Sequence, residues 1–202
     1  LHYEKVMKLR YGENPHQKAV FFRDPTDNFP NVTNAKVLQG KELSFNNIID
    51  TDGALELVKD FDKPAAAVIK HTNPCGAATA DNITDAFAQA YQVDPMAAFG
   101  CVIALNRPCT QEIAQYIVDN KMFVEIIITP SFDKGALELL SKKQNLRLLE
   151  TGELRRNPNQ RSIKTVSGGI LVQTADQYVV TEKDFKVVTK SQPTEDEIEA
   201  ML

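Results

Sequence analysis

Lys70 and His71 stand side by side in Lys70-His71-Thr72-Asn73-Pro74-Cys75-Gly76, directly after the apolar run Ala65-Ala66-Ala67-Val68-Ile69. An imidazole next to a fixed cation suits proton transfer near neutrality and stabilisation of developing negative charge. Successive strand residues point to opposite faces, so the two share one pocket only if the strand ends at Lys70. Pro74 is read as the break, biasing Asn73 to extended backbone. Gly76 can supply positive φ or a close backbone approach to a ligand. The bland alternative is a chance Lys-His at a strand end.

Three further segments could bind. Arg10-Tyr11-Gly12-Glu13-Asn14-Pro15-His16-Gln17 offers the planar fork of Arg10 to a phosphate or carboxylate, with Gly12 letting backbone come close. Its alternative is a solvated turn after a short strand, with His16 a structural hydrogen-bonder. In Ala97-Ala98-Phe99-Gly100, Phe99 could stack on a heterocycle while Gly100 presents its N–H. Otherwise Phe99 is core and Gly100 a strand entry. Glu125 lies within an apolar strand and needs a partner or a ligand, unless it is an edge residue facing water.

Other chemistries lack their residues. There is no phosphate-cradling Gly-x-x-x-x-Gly-Lys-Ser/Thr, no Gly-x-Gly-x-x-Gly, no Gly-x-Ser-x-Gly and no His-Glu-x-x-His. His2, His16 and His71 are not at metal-ligand spacing, so no metal is expected. Cys75, Cys101 and Cys109 are sparse and odd in number, which predicts reduced structural thiols in a cytoplasmic protein. A net charge of −4 argues against nucleic-acid and anionic-membrane partners. With 43% apolar and 25% charged residues over 202 positions, the composition is that of a soluble globular chain. Its apolar runs are too short to cross a bilayer.

The elements that must position these residues read as α/β. Strands are predicted at Ala19–Phe22, Val37-Leu38, 65–69, 101–105 and 123–129. Helices are predicted on the stripes Ala54/Leu57/Val58/Phe61, capped from Asp50, Thr51 or Asp52, and Ile83/Ala86/Phe87/Ala90/Tyr91, then at 113–118 and 134–142. Strand and helix alternate as in a largely parallel sheet with helices on both faces, so ligands are expected at the loops following 69, 105 and 129. From Leu146 the pattern turns to extended segments (146–149, 162–172, 178–180, 185–189) around Ser167-Gly168-Gly169. Thr194 and Glu197 form a capping box for a helix whose stripe, Ile198, Met201 and Leu202, stops after about two turns. With Leu1 as its first residue, the chain is expected to be one incomplete domain of a longer polypeptide.

Leu9–Gln17, Gly40–Ile48, Lys70–Gly76, Phe99-Gly100, Phe123–Pro130 and Ser167–Gln173 occur in an order that resembles the transformylase domain of the bifunctional AICAR transformylase/IMP cyclohydrolase family, in its bacterial form. The resemblance runs from about residue 8 to the last helix. It implies transfer of formyl from 10-formyltetrahydrofolate to the 5-amino group of AICAR in purine biosynthesis, without a metal. It also implies a three-layer α/β/α cytidine-deaminase-like fold with a mixed or largely parallel sheet. Residues 1–202 would be the first subdomain and the start of the second, working as a homodimer with sites at the interface. By motif, His71 is the proton acceptor and Lys70 the transition-state stabiliser. Arg10, plausibly at the phosphate, and Tyr11 contact the nucleotide, and Phe99, Gly100 and Glu125 hold the base and carboxamide. Some family members carry Asp where Glu125 stands. The cyclohydrolase domain and the later nucleotide and folate residues are missing, so the 202 residues alone are expected to be inactive. Two rivals are a deaminase-type enzyme, which would need a second cysteine two residues after Cys75 that this chain lacks, and a non-catalytic oligomerisation or nucleotide-binding module.

Overall fold

A computed structural model describes residues 1–201, which form two compact units, Leu1–Arg156 and a second from Asn157 onward. The first begins with an antiparallel hairpin of β1 (Glu4–Leu9) and β2 (Ala19–Arg23). Its main sheet has six strands: β3 (Lys36–Gln39), β4 (Ala65–Lys70), β5 (Asn73–Thr79), β6 (Cys101–Leu105), β7 (Val124–Thr129) and β8 (Arg147–Glu150). Their spatial order is β3-β8-β7-β6-β4-β5. The helices are α1 (Phe45–Val58), α2 (Ile83–Gln92), α3 (Gln111–Asp119) and α4 (Lys134–Leu140).

Burial on both faces explains the continuous apolar strands. α1 packs Ala54, Leu55 and Val58 onto Ala67, Ile69, Val102, Ile126 and Ile128. On the opposite face, Phe87 of α2, Ile113 and Ile117 of α3 and Leu140 of α4 meet Val68, Ile103, Ile127 and Leu148.

The sheet is mixed, not largely parallel. Only β6, β7 and β8 run parallel; β3, β4 and β5 are joined by antiparallel ladders. The reason is local. The predicted loop 71–76 shrinks to His71 and Thr72, and Asn73–Gly76 already belong to β5. A two-residue connection can join only antiparallel neighbours. Pro74 therefore does not break the run; it sits in the edge strand, where a missing N–H is tolerated.

Two expected features move. α1 starts at Phe45, with Ser44 as cap: its hydroxyl accepts the Asn47 N–H at 3.1 Å, and its own N–H donates to Asn47 Oδ1 at 3.2 Å. Asp50, Thr51 and Asp52 thus lie inside the helix, and Phe61 lies beyond its end, exposed. Gly76 does not adopt positive φ; it serves packing. A Cβ there would lie 2.1 Å from the Ala90 carbonyl oxygen, so only glycine lets β5 approach α2.

The second unit holds an antiparallel hairpin, β9 (Arg161–Val166) with β10 (Gly169–Thr174), turning at Ser167-Gly168 with Gly168 at φ +76°. A short 3₁₀ turn (Glu182–Asp184) and α5 (Glu195–Met201) follow. The segments 178–180 and 185–189 form no ladder, having no partner strand. The predicted cap is present: the Thr194 N–H donates to Glu197 Oε2 at 2.8 Å, and the Glu197 N–H donates to Thr194 Oγ1 at 3.2 Å. Leu202, predicted on the α5 stripe, lies outside the described residues. Among the described residues no helix is long and apolar enough to cross a membrane.

Two glycine substitutions separate these effects. Gly76→Ala is expected to cost about 3 kcal/mol or to prevent folding, since the clash is with backbone. Gly53→Ala, inside α1 with nothing within 4 Å of the added Cβ, is expected to stabilise by about 0.5–1 kcal/mol. Urea denaturation of both variants measures each.

Candidate functional site

Because β4 runs against β6, its carboxyl end meets the amino ends of β6, β7 and β8. One rim of the sheet therefore collects Lys70, His71, Gly100, Glu125 and Arg147. The loops following 105 and 129 lie at the other end, where Asn106 Oδ1 accepts the Ala65 N–H at 2.7 Å. The expectation of one rim made by all three loops fails, since the carboxyl-end rule presumes parallel strands.

The strand does end at Lys70. His71 and Thr72 have φ of 53° and 62°, the left-handed backbone of a type I′ hairpin turn, usually occupied by Asn-Gly. For non-glycine residues this costs roughly 1–2 kcal/mol each. Surrounding bonds hold the turn. The Thr72 N–H donates to Oδ1 of the buried Asp50 at 2.8 Å, and Asn73 Nδ2 donates to the His71 carbonyl at 2.8 Å. Asp50, read from sequence as a helix cap, is thus a tether from α1 to the turn. No local pattern marks that role, because it depends on contact across 22 residues. His71 is exposed on the turn; Lys70 is half-buried, its Nζ donating to the Gly100 carbonyl at 2.9 Å.

Gly100 adopts φ +74°, and a Cβ there would lie 2.9 Å from Lys70 Nζ and 3.1 Å from the Phe123 ring. Its N–H donates to the Phe123 carbonyl at 2.8 Å, so that donor is engaged within the protein and not presented to a ligand. Phe99 is not core. It is 69% exposed and packs against Phe123 with ring centroids 5.0 Å apart.

Glu125 is not an ordinary strand residue. Cys101 pairs with Val124 and Val102 with Ile126, so Glu125 is the extra residue of a bulge in β7. A bulge re-aims its side chain. One carboxylate oxygen, Oε2, accepts Asn47 Nδ2 at 2.9 Å and faces Arg147 Nη1 at 3.5 Å. Arg147 in turn donates to the carbonyls of Lys41 and Glu42 at 3.0–3.1 Å. Burial pushes the Arg147 guanidinium below its ordinary pKa, and Glu125 pulls it back. A cavity of about 570 Å³ opens beside Glu125 between Lys41, Phe123, Lys143 and Arg147; Lys70 and His71 are not among its walls.

Arg10 is exposed, its guanidinium 5.8 Å from the centre of the half-buried Tyr11 ring. The turn they begin approaches α1, where Asn46 Nδ2 donates to the Glu13 carbonyl at 3.4 Å. His16 is exposed on the same turn. The three cysteines are free thiols. Burial raises Cys101 and Cys109 to about 12; Cys75, the bulged residue of β5, is raised by burial and by Asp94. Among the described residues no group of three or more His, Cys, Asp and Glu side chains could hold a metal ion.

Comparison with known proteins adds a family. The model for the AICARFT/IMPCHase bienzyme family matches residues 1–202. The chain is 48% identical over 200 residues to the bifunctional purine biosynthesis protein PurH of Oceanobacillus iheyensis, covering 99% of this chain and 39% of that protein. PurH of Acetivibrio thermocellus is 47% identical over 204 residues, and PurH of Ruminiclostridium cellulolyticum 48% over 206; each match covers 100% of this chain and 39% of the relative. The chain thus spans about two fifths of the length of the curated relatives it matches.

Two measurements check the local physics. Asp50→Ala is expected to lose roughly 1–3 kcal/mol in urea denaturation and to speed exchange of the Thr72 amide, while Asp50→Asn, which keeps an acceptor oxygen, loses less. In the native protein at pH 8, Cys101 and Cys109 are expected to resist an alkylating reagent, since thiols pushed up to about 12 are almost wholly protonated there. Cys75 reacts slowly, and all three react in denaturant, as read by mass spectrometry.

Proposed function

The chain belongs to the AICARFT/IMPCHase bienzyme family, and from that premise we propose that it carries the catalytic doublet of a formyltransferase acting in purine biosynthesis. The reaction moves formyl from 10-formyltetrahydrofolate to the 5-amino group of AICAR. The observation that carries this reading is the Lys70-His71 pair at a tethered hairpin turn, on the same rim as Gly100 and Glu125, in a chain matched by the family throughout.

The amino group of AICAR is conjugated to an electron-poor ring and is a weak nucleophile, so its proton must leave as it attacks. His71, exposed on the turn, accepts that proton while the nitrogen bonds to the formyl carbon. The tetrahedral oxyanion collapses, the bond from formyl carbon to the folate N10 breaks, and N10 takes up a proton. Lys70 donates one N–H to Gly100 and keeps two for the developing negative charge. Glu125, fixed through one oxygen, has a second with which to accept from the substrate carboxamide. Arg10 and Tyr11 contact the nucleotide, and Phe99 flanks the base.

The uncovered rings of Phe99 and Phe123, 69% and 50% exposed, support a site that a second copy closes, as a homodimer with interface sites. The helix-covered mixed sheet is consistent with a cytidine-deaminase-like α/β/α arrangement in which residues 1–202 supply the first subdomain and the beginning of another. We place the enzyme in the cytoplasm, with 10-formyltetrahydrofolate as co-substrate and no metal.

His71→Ala, introduced into a full-length bifunctional enzyme carrying this segment, is expected to lower kcat for formyl transfer by about 10²–10⁴-fold and leave cyclohydrolase activity intact. Lys70→Ala is expected to lower it by about 10²–10³-fold. Unchanged transfer in His71→Ala would remove the assignment. The 202 residues alone are expected to give no measurable turnover.

A further inference from the structure

The backbone strain of this rim falls on the turn that carries the proposed proton acceptor. Positive φ suits glycine or asparagine, yet the turn is made of His71 and a β-branched Thr72. Two of its bonds are local: Thr72 Oγ1 and Asn73 Nδ2 donate to the His71 carbonyl at 2.6 and 2.8 Å. These move with the hairpin, so they set its shape and not its place. The third comes from outside the strand pair, where Oδ1 of Asp50 accepts the Thr72 N–H at 2.8 Å. Asp50 is 8% exposed, and a carboxylate acceptor shielded from water makes a strong bond. Its helix is itself fixed. Ser44 and Asn47 close the capping box, the Thr51 hydroxyl donates to the Asn47 carbonyl at 2.6 Å, and Ala54, Leu55 and Val58 pack onto the sheet.

Strained backbone persists only where its surroundings over-determine it, and here the surroundings reduce to one carboxylate on a rigid helix. We infer that Asp50 is a positioning residue for His71: through the Thr72 amide it holds the left-handed turn against α1 and keeps the imidazole where it can take the amine proton. The inference rests on the formyl transfer proposed above and adds to it a group that touches no reacting atom. Releasing the bond leaves the imidazole chemically intact but spreads it over other backbone states, and only the productive fraction turns over. The loss therefore falls on kcat and not on KM, since the groups proposed to bind the nucleotide keep their places.

Formyl-transfer kinetics of a full-length bifunctional enzyme carrying this segment test it. Asp50→Ala is expected to lower kcat by about tenfold or more, with KM for AICAR changed by less than about twofold. Asp50→Asn keeps an acceptor oxygen and is expected to lower kcat by only about threefold, a loss that stays measurable if the alanine variant does not fold. The decisive variant adds Thr72→Gly to either one. Glycine adopts positive φ without penalty, so the turn needs less support and part of the lost kcat returns. A role confined to the stability of α1 would give no such recovery. Thr51→Ala, which removes a buried bond from the same helix without touching the turn, is expected to leave kcat within about twofold. Cyclohydrolase activity and a urea midpoint confirm the fold of each variant. Unchanged kcat in both Asp50 variants, no recovery with Thr72→Gly, or an equal loss in Thr51→Ala overturns the inference. Any of these together with a lowered kcat in His71→Ala leaves formyl transfer standing. Unchanged transfer in His71→Ala removes that reading, and the positioning role with it.

Discussion

Two strands joined by a two-residue turn must run in opposite directions, and at Lys70–Asn73 that constraint decides where everything else lies. β4 occupies the middle of the sheet, so reversing it places its last residue among the first residues of β6, β7 and β8. Without the reversal, Lys70 and His71 would stand at one end of the sheet and Gly100, Glu125 and Arg147 at the other. The turn is conformationally expensive, with two non-glycine residues in left-handed backbone, and persists because Asp50 and Asn73 hold it. An imidazole carried on such a turn has few backbone alternatives, which suits the proton acceptor proposed above.

The rim is built from departures from regular structure. β7 gains one residue at Glu125, and β5 one at Cys75. Gly40 and Gly100 adopt positive φ where a neighbouring backbone or side chain leaves no room for Cβ. Each departure aims a group that a regular strand would have directed elsewhere or crowded out. The Glu125–Arg147 pair illustrates the energetics. With about a third of the Glu125 side chain exposed and Oε2 to Nη1 at 3.5 Å, its Coulomb gain in stability is small. Its effect is geometric: it orients the carboxylate and leaves one oxygen without a partner among the described residues.

Stability and site come from different parts of the first unit. Phe87, Ile103, Ile113, Ile127 and Leu140 on one face, and Leu55, Ile126 and Leu149 on the other, are fully buried and make the folding core. Apart from the buried Gly100, the rim residues are half-buried or exposed and add little apolar burial. Substitution of His71 should therefore leave the fold intact. Asp50 is the exception, since it belongs to a core-packed helix and to the site together.

Apart from β5, the strands and helices of the first unit's sheet were legible because each carries a pattern that local physics enforces, apolar runs for strands covered on both faces and 3.6-residue stripes for α2 and α3; in the second unit the capping box at Thr194 announced α5 in the same way. The chemistry-bearing residues were legible for a similar reason, since Lys70-His71 and Glu125 stand out against the apolar strands around them. Strand direction was not, because a positive-φ turn at His71-Thr72 carries no glycine or asparagine to announce it. Nor were the start of α1, whose first turns face the rim and lack an apolar stripe, and the bulge at Glu125, which exists only relative to β6. The partners of these residues, Asp50 for the turn, Asn47 and Arg147 for Glu125, and the Gly100 carbonyl for Lys70, are 22 to 78 positions away in sequence. Composition and periodicity determine which segments fold and which groups could react; contact between distant segments alone decided which of them meet.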